Sequence, residues 1–279
     1  FGIPFNIGVL TNITHEHLDY HKNYDDYVDT KLRLFKKSDI SIINSNGVWF
    51  EKVLKSIPKK KLISYSLHGT NENDLSIINM PFQIKTKLIG DFNLENILAE
   101  TATAIELGIK NEVIDLAIQS FEPPIGRQQI VSSKKGPMVM VDFAHTANSF
   151  ANILPEVRKR TTGKLIHVFG ASGERDPGKR PEMWKVASFY DYIIIITSED
   201  PRSEKASDIS AHIKAGISDE KEVYEIEDRK KAIEFALSKA DSNDTVILTC
   251  KGHEKSINYG DGEEKWSDQK VVADYYNET

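Results

Sequence analysis

The sequence predicts an α/β protein in two parts, the second of them a doubly wound, mainly parallel domain, and three observations carry that prediction. Strand-like and helix-like segments alternate regularly from about residue 138 to residue 250. One strand reads Ile193-Ile194-Ile195-Ile196 and leaves no polar face for water. Glu122-Pro123-Pro124-Ile125-Gly126 interrupts the chain with the strongest breaker signal it contains. Strands that are apolar on both faces belong to parallel sheets covered on both sides by helices, and alternation of the two elements is how such sheets are built.

Taken in order, residues 7–13 predict a buried strand and residues 24–38 an amphipathic helix. Residues 75–88 read as two short strands turning near Pro81. A helix over 92–107 starts after Gly90, with Asp91 or Asn93 as its cap, and stops at Gly108; a second spans about 112–121. The domain boundary is expected after Pro124, giving parts 1–124 and 125–279. Beyond it, strands are predicted over 138–143, 165–169, 192–197, 223–226 and 245–250. Helices are predicted over 149–159, 180–190, 205–215 and 229–240. Ligands of such sheets bind outside the carboxyl ends of the strands. Those ends carry residues 142–148, 170–180, 198–202 and 250–254, which hold most of the unusual polar residues of the second half.

Composition narrows the function classes. With 36 Lys+Arg against 42 Asp+Glu the net charge is −6, so no nucleic-acid or anionic-membrane surface is supported. The longest strongly apolar stretch, residues 192–196, is far short of the ~20 residues of a membrane helix. A single cysteine, Cys250, cannot form an internal disulfide and suits a reducing cytoplasm. Phe1 opens directly into strand-like text, which suggests that the natural chain starts earlier.

The densest chemistry lies after the first strand. Residues 11–21 read Thr-Asn-Ile-Thr-His-Glu-His-Leu-Asp-Tyr-His and place His15, His17 and His21 within seven residues. A metal or phosphate site and a solvated polar loop are both compatible with that density. The following helix places Lys31 on its apolar stripe of Tyr24, Tyr27, Val28, Leu32 and Phe35. Burial there would favour a neutral amine able to add carbon dioxide and become an anionic carbamate. The alternative is that Lys31 snorkels its ammonium out past the aromatic rings.

This segment, with Tyr24, Tyr27 and Lys31 at its spacing, resembles the central domain of the Mur ligases. Within that family it resembles the members that add the third peptide residue to UDP-N-acetylmuramoyl-L-alanyl-D-glutamate. The resemblance implies a magnesium ligand at His17 and a carbamylated lysine at Lys31. It extends from about Asn6 to the C-terminus. Gly90-Asp91-Phe92-Asn93-Leu94-Glu95-Asn96 resembles a helix start whose asparagines, here Asn93 and Asn96, lie near ATP. Gly126-Arg127 matches an arginine at the domain junction. Residues 142–146, Asp-Phe-Ala-His-Thr, resemble a segment at the nucleotide, which implies roles for Asp142 and His145.

Residues 173–180, Gly-Glu-Arg-Asp-Pro-Gly-Lys-Arg, come close to a phosphate-binding P-loop but lack its final Ser or Thr, so an NTPase loop is rejected here. By resemblance Arg175 helps bind the incoming amino acid, while Lys179 and Arg180 place positive charge near phosphate. Ser198-Glu199-Asp200-Pro201-Arg202 stands where the family carries Asp-Asn-Pro-Arg. Its arginine fork, Arg202, suits the second carboxylate of meso-diaminopimelate. Glu199 and Asp200 depart from the signature and add negative charge, which would suit the distal ammonium of L-lysine. Residues 250–254, Cys-Lys-Gly-His-Glu, resemble Gly-Lys-Gly-His-Glu, with Glu254 toward an ammonium and Cys250 in place of a glycine.

The resemblance implies an ATP- and magnesium-dependent amide ligase of peptidoglycan synthesis. A monomer is expected, with the nucleotide-sugar dipeptide and a diamino acid as partners and meso-diaminopimelate preferred. The family's Gly-Lys-Thr phosphate loop does not precede Asn6, so the chain as written is expected to bind ATP poorly. Two other readings stay open. One is a non-catalytic paralogue that binds nucleotide or amino acid. The other is a carbamylated-lysine metal hydrolase, which would need further metal-binding histidines on later barrel strands, where His68, His145, His167, His212 and His253 show a linear doubly wound pattern instead.

Overall fold

A computed structural model describes residues 3–13, 23–57, 61–69, 74–131, 136–216 and 221–278. The chain divides into two compact units, residues 1–122 and 123–279. His15, His17 and His21 lie outside the described residues.

The first unit holds a three-stranded parallel sheet, β1 (Phe5–Leu10), β2 (Ser38–Asn44) and β3 (Lys61–Tyr65), in that spatial order. Helix α1 (Tyr24–Phe35) is capped by Asn23, whose side chain accepts the Asp26 N–H at 2.9 Å. Its stripe of Tyr27, Val28, Leu32 and Phe35 is buried against Leu10, Ile43, Trp49 and Val53. Val53 belongs to the short helix α2 (Phe50–Ser56). On the sheet's other side α3 (Asp91–Glu106) packs Leu98, Ala99 and Ala102 against Ile42 and Tyr65. Helix α4 (Asn111–Ser120) packs Ile114 and Ile118 against Ile97 of α3.

Two sequence expectations are corrected here. Residues 75–88 form no strand: Leu75 makes one isolated bridge to Tyr65, and a turn follows in which Asn79 accepts the Ser76 N–H. Their alternating apolar residues, Phe82, Ile84 and Leu88, instead lie over the α3–α4 cluster. Strands β2 and β3 went unread because polar residues begin both and hide the period. At α3 the cap is Gly90, at φ 95°, with no side-chain cap; Asn93 instead donates its amide to the Ile89 carbonyl at 2.8 Å. Gly108, at φ 76°, ends α3 as expected, because a left-handed residue lets the last N–H groups turn back onto the helix.

The second unit is a six-stranded sheet. Its strands are β4 (Gln129–Ile130), β5 (Met138–Val141), β6 (Leu165–Phe169), β7 (Ile193–Ile196), β8 (Glu222–Glu225) and β9 (Thr245–Leu248), in the spatial order β4-β5-β9-β6-β7-β8. Only β4 is antiparallel. The pleat divides the buried strand residues between two faces. Val139, Val141, Ile166, Val168, Ile193, Ile195, Val246 and Leu248 meet α8 (Arg229–Lys239) and α9 (Asp268–Glu278). On the opposite face His167 and Phe169 meet Phe150 of α5 (Ala147–Arg160), ring to ring at 4.8 and 5.2 Å. Helices α6 (Lys179–Tyr190) and α7 (Ala206–Lys214) continue that layer from α5. The sheet is therefore doubly wound, and among the described residues both it and the three-stranded sheet are open, with no barrel of the kind the hydrolase reading required.

The sequence reading missed β4, α9 and a hairpin of β10 (Ser256–Asn258) and β11 (Glu263–Lys265). Helix α9 is held by a fully buried pair in which Arg229, the first residue of α8, donates to both Asp268 oxygens at 2.8 and 2.7 Å. Arg229 Nη2 also donates to the Thr249 carbonyl at 2.8 Å, and Nη1 to the Ser198 carbonyl at 3.4 Å. No helix of the described residues is long and apolar enough to cross a membrane.

Candidate active site

In the second unit, the segments leaving β5, β6, β7 and β9 are tied to one another at the carboxyl edge of the sheet. Cys250, just past β9, is fully buried: its N–H donates to the Ala144 carbonyl at 3.0 Å and its thiol to the Gly170 carbonyl at 3.2 Å. The Gly173 N–H donates to the Asp200 carbonyl at 2.8 Å. A Cβ on Gly173 would stand 1.9 Å from the Pro201 carbonyl oxygen, so only glycine allows the β6 and β7 loops to approach this closely. A Cβ on Gly126 would likewise meet the Gly252 carbonyl carbon at 2.1 Å.

Lys251 joins two of these loops. Its side chain is 1% exposed, and its ammonium lies 2.9 Å from Asp200 and 2.7 Å from Glu254. The Asp200 contact is a hydrogen bond; the approach to Glu254 is close but not along a hydrogen-bond direction, and Glu254 Oε2 keeps no hydrogen-bond partner among the described residues. Asp200 also accepts the Asn258 N–H at 2.9 Å. The expectation that Asp200 offers free negative charge to a lysine substrate is therefore corrected, because Lys251 already neutralises it.

Glu199 is buried, and desolvation raises its carboxyl pKa against the pull of Lys179, His145 and Lys251. Its Oε2, with Ser198 Oγ, has no hydrogen-bond partner among the described residues. Arg202 stands on left-handed backbone, φ 54°, and its guanidinium makes only a 3.5 Å contact to the Gly173 carbonyl. Among the described residues no carboxylate lies within ion-pair distance of it. Pro201 before it is buried.

Arg175 is exposed on the β6 loop. Lys179 opens α6 and donates to the His145 carbonyl at 3.3 Å. Arg180 is corrected: it does not face ligand but is fully buried, forking onto both Glu204 oxygens at 2.9 and 3.0 Å and donating to the Ser172 carbonyl at 3.0 Å. Asp142 clamps its own loop, accepting from Ala144 N–H at 2.7 Å and Gln128 N–H at 2.8 Å. His145 Nδ1 lies 2.9 Å from the Phe143 carbonyl, and the exposed Arg127 guanidinium covers the Phe143 ring at 4.6 Å.

In the first unit, Asn96 is exposed in the first turns of α3. A cluster not read from sequence joins this helix to the carboxyl end of β2, where Glu95 accepts from Asn44 at 3.1 Å and Asn46 at 2.7 Å. The isolated signal was an Asn-Ser-Asn run after a strand that had not been recognised. The placement of Lys31 on the buried stripe is corrected too. The residue is half-buried rather than on the packed face, and its ammonium sits 5.0 Å over the Tyr27 ring, the snorkelled alternative. Among the described residues no group of three His, Cys, Asp or Glu side chains could hold a metal. The described residues alone do not fit a magnesium site.

Among the described residues four non-glycines adopt left-handed backbone, Gln128, Glu174, Arg202 and Cys250, and all flank these loops of the second unit. Such conformations cost about 1 kcal/mol or more each and persist where surrounding contacts impose them. Cys250 at φ 79° explains why the related motif carries glycine at this place.

Comparison with known proteins agrees with this architecture. The family model for the Mur ligase middle domain matches residues 1–104, and that for the Mur ligase glutamate ligase domain matches residues 126–252. A curated relative from Aquifex aeolicus (strain VF5), UDP-N-acetylmuramoyl-L-alanyl-D-glutamate–2,6-diaminopimelate ligase, is 36% identical over 97% of this chain and 58% of its own length. A solved structure of a ligase of that name superimposes with TM-score 0.62 and 28% identity, over 98% of this chain and 60% of its own. A pseudomurein peptide ligase type C from Methanothermus fervidus shares the fold with TM-score 0.73 at 18% identity, over 98% of this chain and 63% of its own. The chain thus spans roughly six-tenths of the length of the relatives it matches.

Proposed function

The chain belongs to the Mur ligase family, and from that premise we propose that it serves ATP-dependent amide ligation, joining meso-diaminopimelate to the D-glutamate of UDP-N-acetylmuramoyl-L-alanyl-D-glutamate. The observation that carries the choice of amino acid is Arg202. Its guanidinium has no carboxylate at ion-pair distance among the described residues and makes one 3.5 Å contact to the Gly173 carbonyl, with the buried Glu199 on the same loop and Glu254, paired with Lys251, on the loop after β9. A guanidinium fork and carboxylates together suit a zwitterion with an extra carboxylate. L-lysine is the second reading, and it is disfavoured because Asp200 is occupied by Lys251.

In this reading the D-glutamate side-chain carboxylate takes the γ-phosphoryl group of ATP and releases ADP. The amine of the amino acid then attacks the acyl carbon, the C–O bond to phosphate breaks, and inorganic phosphate leaves with a proton released from nitrogen. The protein's share of such chemistry is positioning and charge neutralisation. Arg175, Arg202, Glu254 and the Glu199-Asp200-Pro201 turn, backed by Cys250, orient the amino acid. The family resemblance supports nucleotide roles for Lys179, Arg127, His145 and Asp142 of the second unit and, separately, for Asn93 and Asn96 of the first. ATP and magnesium are the cofactors the reading calls for. His17 and a carbamylated Lys31 remain the proposed magnesium-holding residues, and no step is derived through the metal. A cytoplasmic location follows from the nucleotide substrates.

The test is a ligation assay with the nucleotide-sugar dipeptide, ATP and magnesium, offering meso-diaminopimelate and L-lysine in parallel. Phosphate release dependent on diaminopimelate, with a tripeptide product, is expected from the full-length protein. Phosphate release without amide product, or an equal rate with L-lysine, would count against the reading.

A further inference from the structure

Beneath the loops of the second unit lies a buried polar chain that touches no ligand. His167, in the middle of β6, stands 2.7 Å by Nδ1 from Asp191 Oδ2 and 2.8 Å by Nε2 from Thr249 Oγ1. His167 and Thr249 are fully buried and Asp191 nearly so. Asp191 closes α6 just before the amino end of β7, whereas Thr249 follows the last residue of β9. The imidazole therefore bridges opposite edges of the sheet, packed against the rings of Phe150 and Phe169 at 4.8 and 4.6 Å.

Charge sets the direction of these bonds. A net charge on a buried pair is costly, so Asp191 and His167 are neutral together, as carboxylate and imidazolium or as acid and imidazole. Burial raises the Asp191 carboxyl pKa against the pull of His167, in keeping with a proton held inside the pair. In both forms Nε2 carries a hydrogen and donates it to Thr249 Oγ1. The Thr249 hydroxyl then sends its own hydrogen toward Cys250 Sγ at 3.7 Å, and the thiol donates to the Gly170 carbonyl at 3.2 Å. Thr249 is fixed by its backbone as well, its N–H donating to the Val168 carbonyl at 3.0 Å and its carbonyl accepting from Arg229. The next residue, Cys250 at φ 79°, opens the turn that presents Lys251 and Glu254. Left-handed backbone of this kind persists where neighbouring contacts impose it.

We propose that His167, held by Asp191, is a positioning residue for the turn 250–254: it orients the Thr249 hydroxyl, which fixes the strained Cys250 and with it Lys251 and Glu254. The consequence for amino-acid binding rests on the ligase reading; the hydrogen-bond chain does not.

The test has one arm without substrate and one with it. Protein labelled with ¹⁵N-histidine should show an Nε2–H resonance with NOEs to the Phe150 and Phe169 rings and slow exchange with water; an Nε2 without hydrogen in the wild type would overturn the proposal, and this measurement needs no variant. Thr249→Val keeps the shape of the side chain and removes its oxygen, while Thr249→Ser keeps the oxygen. Iodoacetamide should label Cys250 in native Thr249→Val at least tenfold faster than that variant's global unfolding, measured in urea, allows, and Thr249→Ser should protect it as the wild type does. In the ligation assay with full-length protein, Thr249→Val should raise the KM for meso-diaminopimelate about fivefold or more, with kcat and the KM for ATP within about twofold, and Thr249→Ser should restore it. Labelling of Thr249→Val no faster than global unfolding, or an equal rise in both KM values, would overturn the positioning role. Absence of amide product in the wild type as well would count against the ligase reading alone, and the resonance and the labelling would still decide the role of His167.

Discussion

The ammonium of Lys251 stands 2.9 Å from Asp200 and 2.7 Å from Glu254, and this one buried cation ties the loop after β9 to the loop after β7. Removing it strands two carboxylates. Breaking a buried pair from one side costs about 3–5 kcal/mol, and the low end applies because Glu254 is 34% exposed. Lys251→Met should therefore lose about 3 kcal/mol of unfolding free energy in urea. A loss below about 1 kcal/mol would show that the loops hold together without it.

Arg202 is the residue expected to read the far carboxylate of the amino acid. Arg202→Ala should raise the KM for meso-diaminopimelate at least tenfold, equivalent to about 1.4 kcal/mol, while the KM for ATP stays within twofold. Arg202→Lys should recover little, because a point charge does not reproduce a two-pronged contact. An unchanged KM for diaminopimelate in either variant would place the carboxylate elsewhere.

Glu199 gives a signed pH effect. Its pKa in the fold is raised by desolvation, so above about pH 4.3, where an unfolded glutamate ionises, the folded state still binds the proton. The unfolded state then carries fewer protons, and stability falls as pH rises until Glu199 ionises in the fold as well. Its contribution is fully present below the unfolded pKa. Glu199→Gln should flatten this part of the curve of unfolding free energy against pH; an identical slope in the variant would reassign the effect.

Cys250 combines strain with burial. Burial pushes its thiol pKa up to about 12, so iodoacetamide at pH 8 should leave it unmodified in the native protein and label it fully in denaturant. Cys250→Gly relieves the left-handed backbone and loses a small buried side chain, so its stability should stay within about 1 kcal/mol of wild type. Cys250→Val, β-branched at φ 79°, should lose about 2 kcal/mol or more by thermal denaturation.

Several parts of this molecule could be read without coordinates. The all-isoleucine β7 and its neighbours have no polar face, so burial on both sides follows from composition alone. Helix α1 was legible from its stripe, and the glycine at position 108 from the helix it ends. The clustering of unusual polar residues after β5, β6, β7 and β9 also follows from sequence, because a parallel sheet places every such loop at one edge. Strands β2 and β3 were not legible, since their polar starts obscure the period, and the alternation in 75–88 came from packing over two helices.

What the sequence by itself determined is the family pattern and the identity of the charged residues at that edge. Which of those charges are available was decided only by the tertiary structure. Arg180 and Arg202 look equivalent in one dimension. In the fold Arg180 is buried and forked onto Glu204, whereas Arg202 is held on strained backbone with no carboxylate at ion-pair distance among the described residues. Asp200 likewise looked available until Lys251 was found against it. The physical reason is that an ion pair forms between residues far apart in the chain, Arg180 with Glu204 or Lys251 with Asp200, and a local sequence pattern holds no record of the partner.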